Sequence, residues 1–147
     1  MTSPLEDKPE ILQKIGLFIV LFNGIDARLG IEFYYIINQT EAHKRPILTF
    51  LETQDFSKKL DMLKLILGED LYEKIKTINE FRNFIAHGLY GMDSTGKMSI
   101  AKITKGNGKY RSIDDLDSEF LDEYISKERE ALNLIHGLGL KRMAKKI

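Results

Sequence analysis

The sequence predicts an all-α domain, an up-and-down bundle of four main helices with a small β-hairpin or meander inserted before the last one. Apolar residues recur every three or four positions through most of the 147-residue chain, which is the period of one helix face. The period shortens to two only between Leu89 and Ile113, where glycine-rich turns separate short β-like runs. No repeat, low-complexity tract or long linker divides the chain, so residues 1–147 read as a single domain.

The first helix is expected from Ile11 to about Ile37, with Ile11, Ile15, Phe18, Phe22, Ile25, Leu29, Phe33 and Ile36 on a broad apolar face. At 1.5 Å per residue it would be about 40 Å long, with a bend near Gly24 or Gly30. Leu17, Val20 and Leu21 are apolar as well, more than one buried face needs, which points to a partner chain on a second side. A loop is expected over Asn38 to Pro46. A second helix follows, with Asp55 or Thr53 as its cap, Phe56, Leu60, Leu63 and Leu67 on its apolar face, and a stop near Gly68. The third begins near Asp70 and runs through Ile75, Ile78, Phe81 and Ile85 to His87, with Gly88 as its C-terminal stop. Leu89 to Ile113 forms the β excursion, turning at Asp93-Ser94-Thr95-Gly96 and Lys105-Gly106-Asn107-Gly108. The final helix is expected from near Asp115, with Ser112 as a cap, to Gly137; residues 139–147 would be a frayed basic tail carrying Lys141, Arg142, Lys145 and Lys146.

Composition excludes several classes of function. The chain has 22 basic and 22 acidic residues and no net charge, unlike a protein that coats nucleic acid nonspecifically. It has no cysteine, so disulfides, iron–sulfur clusters and cysteine-based zinc sites are excluded. Its three histidines, His43, His87 and His136, stand at no ligand spacing, and neither a metal nor another cofactor is expected. Met1 to Glu10 is polar with two prolines, unlike a signal peptide, and Ile15 to Phe22 is far short of the roughly 20 residues of a membrane span. A cytoplasmic protein with no membrane partner is the expectation.

Arg82 and His87 are the combination that brings a permanent cation and a near-neutral acid/base into one short stretch. Phosphodiester cleavage in RNA needs a base for the 2′-hydroxyl proton, an acid for the leaving 5′-oxygen, and positive charge on the phosphate. Histidine and arginine can fill all three roles. Five residues at 100° each put the two side chains about 140° apart around a helix, so one copy makes a poor pocket. A symmetric partner contributing its own Arg82 and His87 would complete the cleft. Asn83 would support the site by orienting the imidazole or bonding a phosphate oxygen, and Asp55, Lys59 and Tyr90 are candidates to line the cleft. The blander alternative pairs Arg82 with Asp70, Glu73 or another acid and leaves His87 closing the helix.

The segment Arg82-Asn83-x-x-Ala86-His87-Gly88, at the end of a helix in a small bundle, resembles the R-x4-H motif of the HEPN superfamily. The helical order from Ile11 to about Leu138 is similar too. The resemblance implies a homodimer with the motif at the subunit interface and, in many members, endoribonuclease activity on RNA in toxin–antitoxin or antiviral defence, with an antitoxin protein as a further partner. By motif position Arg82 and His87 would be catalytic and Asn83 supporting. Toxins of this superfamily paired with a minimal nucleotidyltransferase resemble R-x4-H-x-Tyr, whereas this chain reads His87-Gly88-Leu89-Tyr90, one residue longer. A second reading keeps the fold without catalysis, as a dimeric module that binds nucleotide, RNA or a protein through the same cleft. In a third, the motif only stabilises a helical dimer.

Overall fold

The computed structural model describes residues 4–36, 55–103 and 108–145. After a 3-10 turn at Pro4–Asp7, these form helices α1 (Pro9–Ile36), α2 (Phe56–Met62), α3 (Lys64–Leu67) and α4 (Glu69–His87), strands β1 (Leu89–Met92), β2 (Met98–Ile103) and β3 (Tyr110–Ile113), and helix α5 (Ser118–Lys145). The mostly helical architecture and the small sheet before the last helix agree with the sequence. The expected Asn38–Pro46 loop, the Thr53 cap, His43, the turn residues Lys105 to Asn107 and Lys146 lie outside the described residues.

Among the described helices, direction alternates from α2 through α4 to α5, while α1 shares the direction of α2 and α5. Glu10 and Lys14 sit beside Ser118 and Asp122, and Gly24 faces Leu132, so α1 and α5 run parallel. Phe22 meets Phe56 and Asp26 meets Lys59, which makes α2 parallel to α1. Lys74 pairs with Glu130 and Phe81 stacks on Tyr124, so α4 runs antiparallel to α5. Two differences concern helix ends. The second expected helix breaks at Leu63 into α2 and α3, and Gly68, at φ 84° and ψ 159°, separates α3 from α4 in a region essentially reserved for glycine. The last helix starts at Ser118, where the Asp117 carboxylate accepts the Phe120 amide proton at 2.8 Å as an N-cap. Ser112 instead donates to Asp114. That helix then continues through Gly137 and Gly139 to Lys145, so most of the expected frayed tail is helical. A glycine in a helix interior costs only about 1 kcal/mol, and the surrounding turns overcome it.

The core lies where α1, α4 and α5 meet. Phe81 stands edge-on to Phe18 at 4.9 Å and stacks on Tyr124 at 4.2 Å, with Phe120 at 5.3 Å. Ile25, Leu29, Ile75, Ile78, Leu121 and Ile135 extend the core along the same three helices. The sheet is antiparallel in the order β1-β2-β3, with Gly91 opposite Ser99 and Lys102 opposite Arg111. It is more than an edge decoration, because Met98 and Ile100 of β2 are buried in the main core. Asp93 shapes the β1–β2 turn by accepting from the Thr95 hydroxyl and from the amides of Thr95 and Lys97.

Gly88 is where sheet and motif helix touch. Gly88 ends the helix as expected, but its φ of −82° suits any residue, so a left-handed cap is not what requires glycine here. The requirement is space: a Cβ would come within 2.5 Å of both Ile100 Cγ1 and the Phe84 carbonyl oxygen. Gly88→Ala is therefore expected to destabilise the fold by about 1–3 kcal/mol, the usual cost of overpacking, read as a lower urea midpoint.

The core also holds an acidic side chain. Glu128 of α5 is 0 % exposed, and among the described residues neither carboxylate oxygen has a hydrogen-bond partner. Burial raises its pKa to about 9, so the folded state keeps it protonated at neutral pH. The unfolded chain would release that proton near the ordinary carboxylate value of 4.5. Between those values the unfolded state binds fewer protons, so this group makes stability fall as pH rises. Urea unfolding from about pH 5 to about pH 9 should show that decline. Glu128→Leu should flatten it and add about 1–3 kcal/mol at neutral pH, the cost of an unsatisfied buried polar group.

Candidate functional site

Packing of Phe81 into the core fixes the rotation of α4, and the next residues follow from it at 100° steps. Asn79, Arg82, Asn83 and Ala86 share one face at i, i+3, i+4 and i+7. That face looks toward α1 and α2. Arg82 is half-buried with its guanidinium 4.8 Å above the Phe22 ring, a cation–π seat. Its Nε is buried without a hydrogen-bond partner. Among the described residues no carboxylate lies within ion-pair distance of Arg82, so neither Asp70 nor Glu73 neutralises it.

A cavity of about 360 Å³ opens beside Arg82, lined by Ile19, Phe22, Asn23 and Asp26 of α1 and by Arg82, Ile85 and Ala86 of α4. A larger cleft of about 590 Å³ at the other end of α4 has Lys74 on its wall, but Glu130 already pairs with that lysine at 2.6 Å. The Arg82 cavity differs in holding a cation with no acidic partner. Behind it, Lys59 of α2 is 8 % exposed, with its ammonium 2.5 Å from Asp26 Oδ1. The two groups form a close ion pair without the alignment of a hydrogen bond. Asn79 donates to the Ser57 hydroxyl at 3.2 Å, while its own buried Oδ1 is unsatisfied.

His87 closes α4 and is exposed. It does not line the Arg82 cavity, in keeping with the wide angle between the two positions. Asn83, half-buried, stands between them in sequence. Of the other candidates, Lys59 borders the cavity through Asp26, and Asp55 is exposed at the N-cap position of α2 with no side-chain cap bond. Tyr90 is half-buried, and its hydroxyl donates to the Ile85 carbonyl at 3.0 Å. That carbonyl is one of the last four of α4, which have no acceptor role left inside the helix. Burial also raises the Tyr90 pKa to about 12, so the phenol is a firm donor at neutral pH.

Sequence reasoning passed over Phe22, Asn23, Asp26 and Asn79. The available signal was Asp26 one turn beyond Phe22 on α1, and Asn79 one turn before Arg82 on the same face of α4. Among the described residues, no three His, Asp or Glu side chains converge as metal ligands, and no helix is long and apolar enough to cross a membrane.

No protein-family model, curated protein or solved structure matches the chain. The resemblance to HEPN domains therefore rests on the motif and the order of helices alone.

Tyr90→Phe should remove the bond that closes the end of α4. The expected loss is about 0.5–1.5 kcal/mol in chemical denaturation, the usual net worth of one hydrogen bond, with faster amide exchange confined to the last turn before His87.

Proposed function

We propose that the chain is a metal-independent endoribonuclease of HEPN type that acts as a homodimer, in a toxin–antitoxin or antiphage defence setting. The observation that carries the reading is Arg82: a buried, unpartnered Nε on a half-buried guanidinium, beside a cavity large enough for a phosphate and part of a nucleotide. Buried donors left unsatisfied are rare in folded proteins and cluster where a ligand completes them.

The surface around that cavity supports the dimer reading. Leu12, Leu17, Ile19, Val20 and Ile31 of α1 are exposed apolar side chains, and Ile19 also lines the cavity. A second copy placed on this face would cover apolar surface and the mouth of the cavity together. It would also bring a second exposed His87 toward the first Arg82, which one copy does not do. In the reaction one imidazole takes the 2′-hydroxyl proton as O2′ bonds to phosphorus. The P–O5′ bond breaks as a protonated imidazole gives its proton to the leaving oxygen, and arginine holds the phosphate charge. The products are a 2′,3′-cyclic phosphate and a 5′-hydroxyl.

The exposure of His87 outside the Arg82 cavity favours one other reading, a catalytically silent dimer that binds nucleotide, RNA or a protein at Arg82 alone. RNA cleavage separates the two. Purified protein is expected to cut single-stranded RNA in chelator, with specific activity rising alongside the dimer fraction in sedimentation, and to leave a substrate with a 2′-deoxy group at the cut position intact. His87→Ala should lower the rate by about 10²–10⁴, the worth of one proton-transfer group, without loss of fold. Cleavage that survives in His87→Ala, or that follows added metal, would overturn the mechanism. A wild-type protein inert on every RNA would leave the silent module.

A further inference from the structure

Seven of the described residues line the cavity at Arg82, and among these Asp26 and Arg82 itself carry charge. Left to themselves, an aspartate and an arginine on facing helices would pair and the cavity would be neutral. Here the aspartate is already engaged, because Lys59 reaches it from α2 at 2.5 Å. The lysine is 8 % exposed, a costly place for an ammonium, and Asp26 is its ion-pair partner. With Asp26 neutralised from behind, the cavity keeps the full charge of Arg82. Phe22 contributes to the same result by offering the guanidinium an aromatic face rather than a carboxylate.

We propose that Lys59 is a positioning residue that holds Asp26 away from Arg82 and so keeps the guanidinium available to a phosphate-bearing ligand. The proposal deepens the ribonuclease reading and rests on it for the identity of that ligand, but its electrostatic content concerns only these three side chains. Without Lys59, Asp26 turns to Arg82 and the cavity loses its net positive charge. A lysine that merely tied α1 to α2 would give stability alone, and its removal would leave Arg82 as it was.

The test follows the Nε–Hε signal of Arg82 by NMR, assigned from the spectrum of Arg82→Lys, during titration with inorganic phosphate. In the wild type the signal should shift on adding phosphate, and in Lys59→Arg, which retains a cation for Asp26, it should do the same. In Lys59→Met the signal should already be displaced before phosphate is added, and the response should weaken roughly tenfold, as when one charge-assisted hydrogen bond is withdrawn. Asp26→Asn in the Lys59→Met background should restore both the starting position and the response, and this double variant also removes the carboxylate left without its lysine, which could destabilise the single one. If Lys59→Met behaves as the wild type, if the double variant fails to recover, or if the wild-type signal ignores phosphate, the proposal is overturned. Asp26→Asn alone provides one more check: a displaced Arg82 signal there would mean that arginine and aspartate were already paired. A wild-type protein that answers phosphate in this way yet cleaves no RNA would count against the nuclease reading and leave the role of Lys59 standing.

Discussion

The rotation of α4 about its own axis is set by Phe81, and every feature of the candidate site depends on it. The ring is caught between Phe18 of α1 and Phe120 and Tyr124 of α5, with the edge-on and stacked contacts that aromatic quadrupoles favour. Once it is seated, the neighbouring residue must emerge about 100° around the helix, which carries Arg82 over the Phe22 ring. Asn79 and Ala86 fall on the same side, and His87 is turned out to solvent. A substitution that let Phe81 leave this nest would rotate the motif with it, whatever happened to the motif residues themselves.

Much of this architecture was legible in the sequence, because it is written in hydrophobic period. The long first helix, the motif helix ending at His87 and the change to period two after Gly88 all follow from the spacing of apolar residues. What the period does not encode is direction and tertiary distance. The parallel course of α1 and α5 depends on which helices meet, and the need for glycine at position 88 depends on Ile100, twelve residues away on β2. The final helix runs past Gly137 because local propensity is a weak term beside continued helical bonding. At the site, Arg82 and His87 stood out by residue type. Asp26 did not, since a single aspartate in a helix is ordinary until Lys59 is seen against it.

Polar groups in the interior of this protein serve different ends. Tyr90 donates its hydroxyl to the Ile85 carbonyl and Asn79 its amide nitrogen to Ser57, and these bonds fasten structure. Glu128 and the Nε of Arg82 have no such employment. They differ from each other as well. The carboxyl of Glu128 can discard its charge by keeping a proton, as its pKa of about 9 implies, whereas a guanidinium keeps its charge at any physiological pH. An unsatisfied acid can therefore persist deep in a core, but an unsatisfied arginine has to stay near an opening, which is where Arg82 is found.

The pairing of α1 with α5 also governs how the chain can assemble. Lys14 bonds Ser118 and Asp122 across separations of 104 and 108 residues, so the broadest helix pair joins the two ends of the described fold. Contacts so distant in sequence cannot form until the intervening chain exists, and they slow folding by the loop they must close. A nascent chain that has released α1 through α4 still lacks Phe120 and Tyr124, and Phe81 has only Phe18 of its aromatic partners. During synthesis, the motif helix would thus acquire its final orientation only after α5 leaves the ribosome, which delays formation of the Arg82 cavity until Phe120 and Tyr124 can reach Phe81.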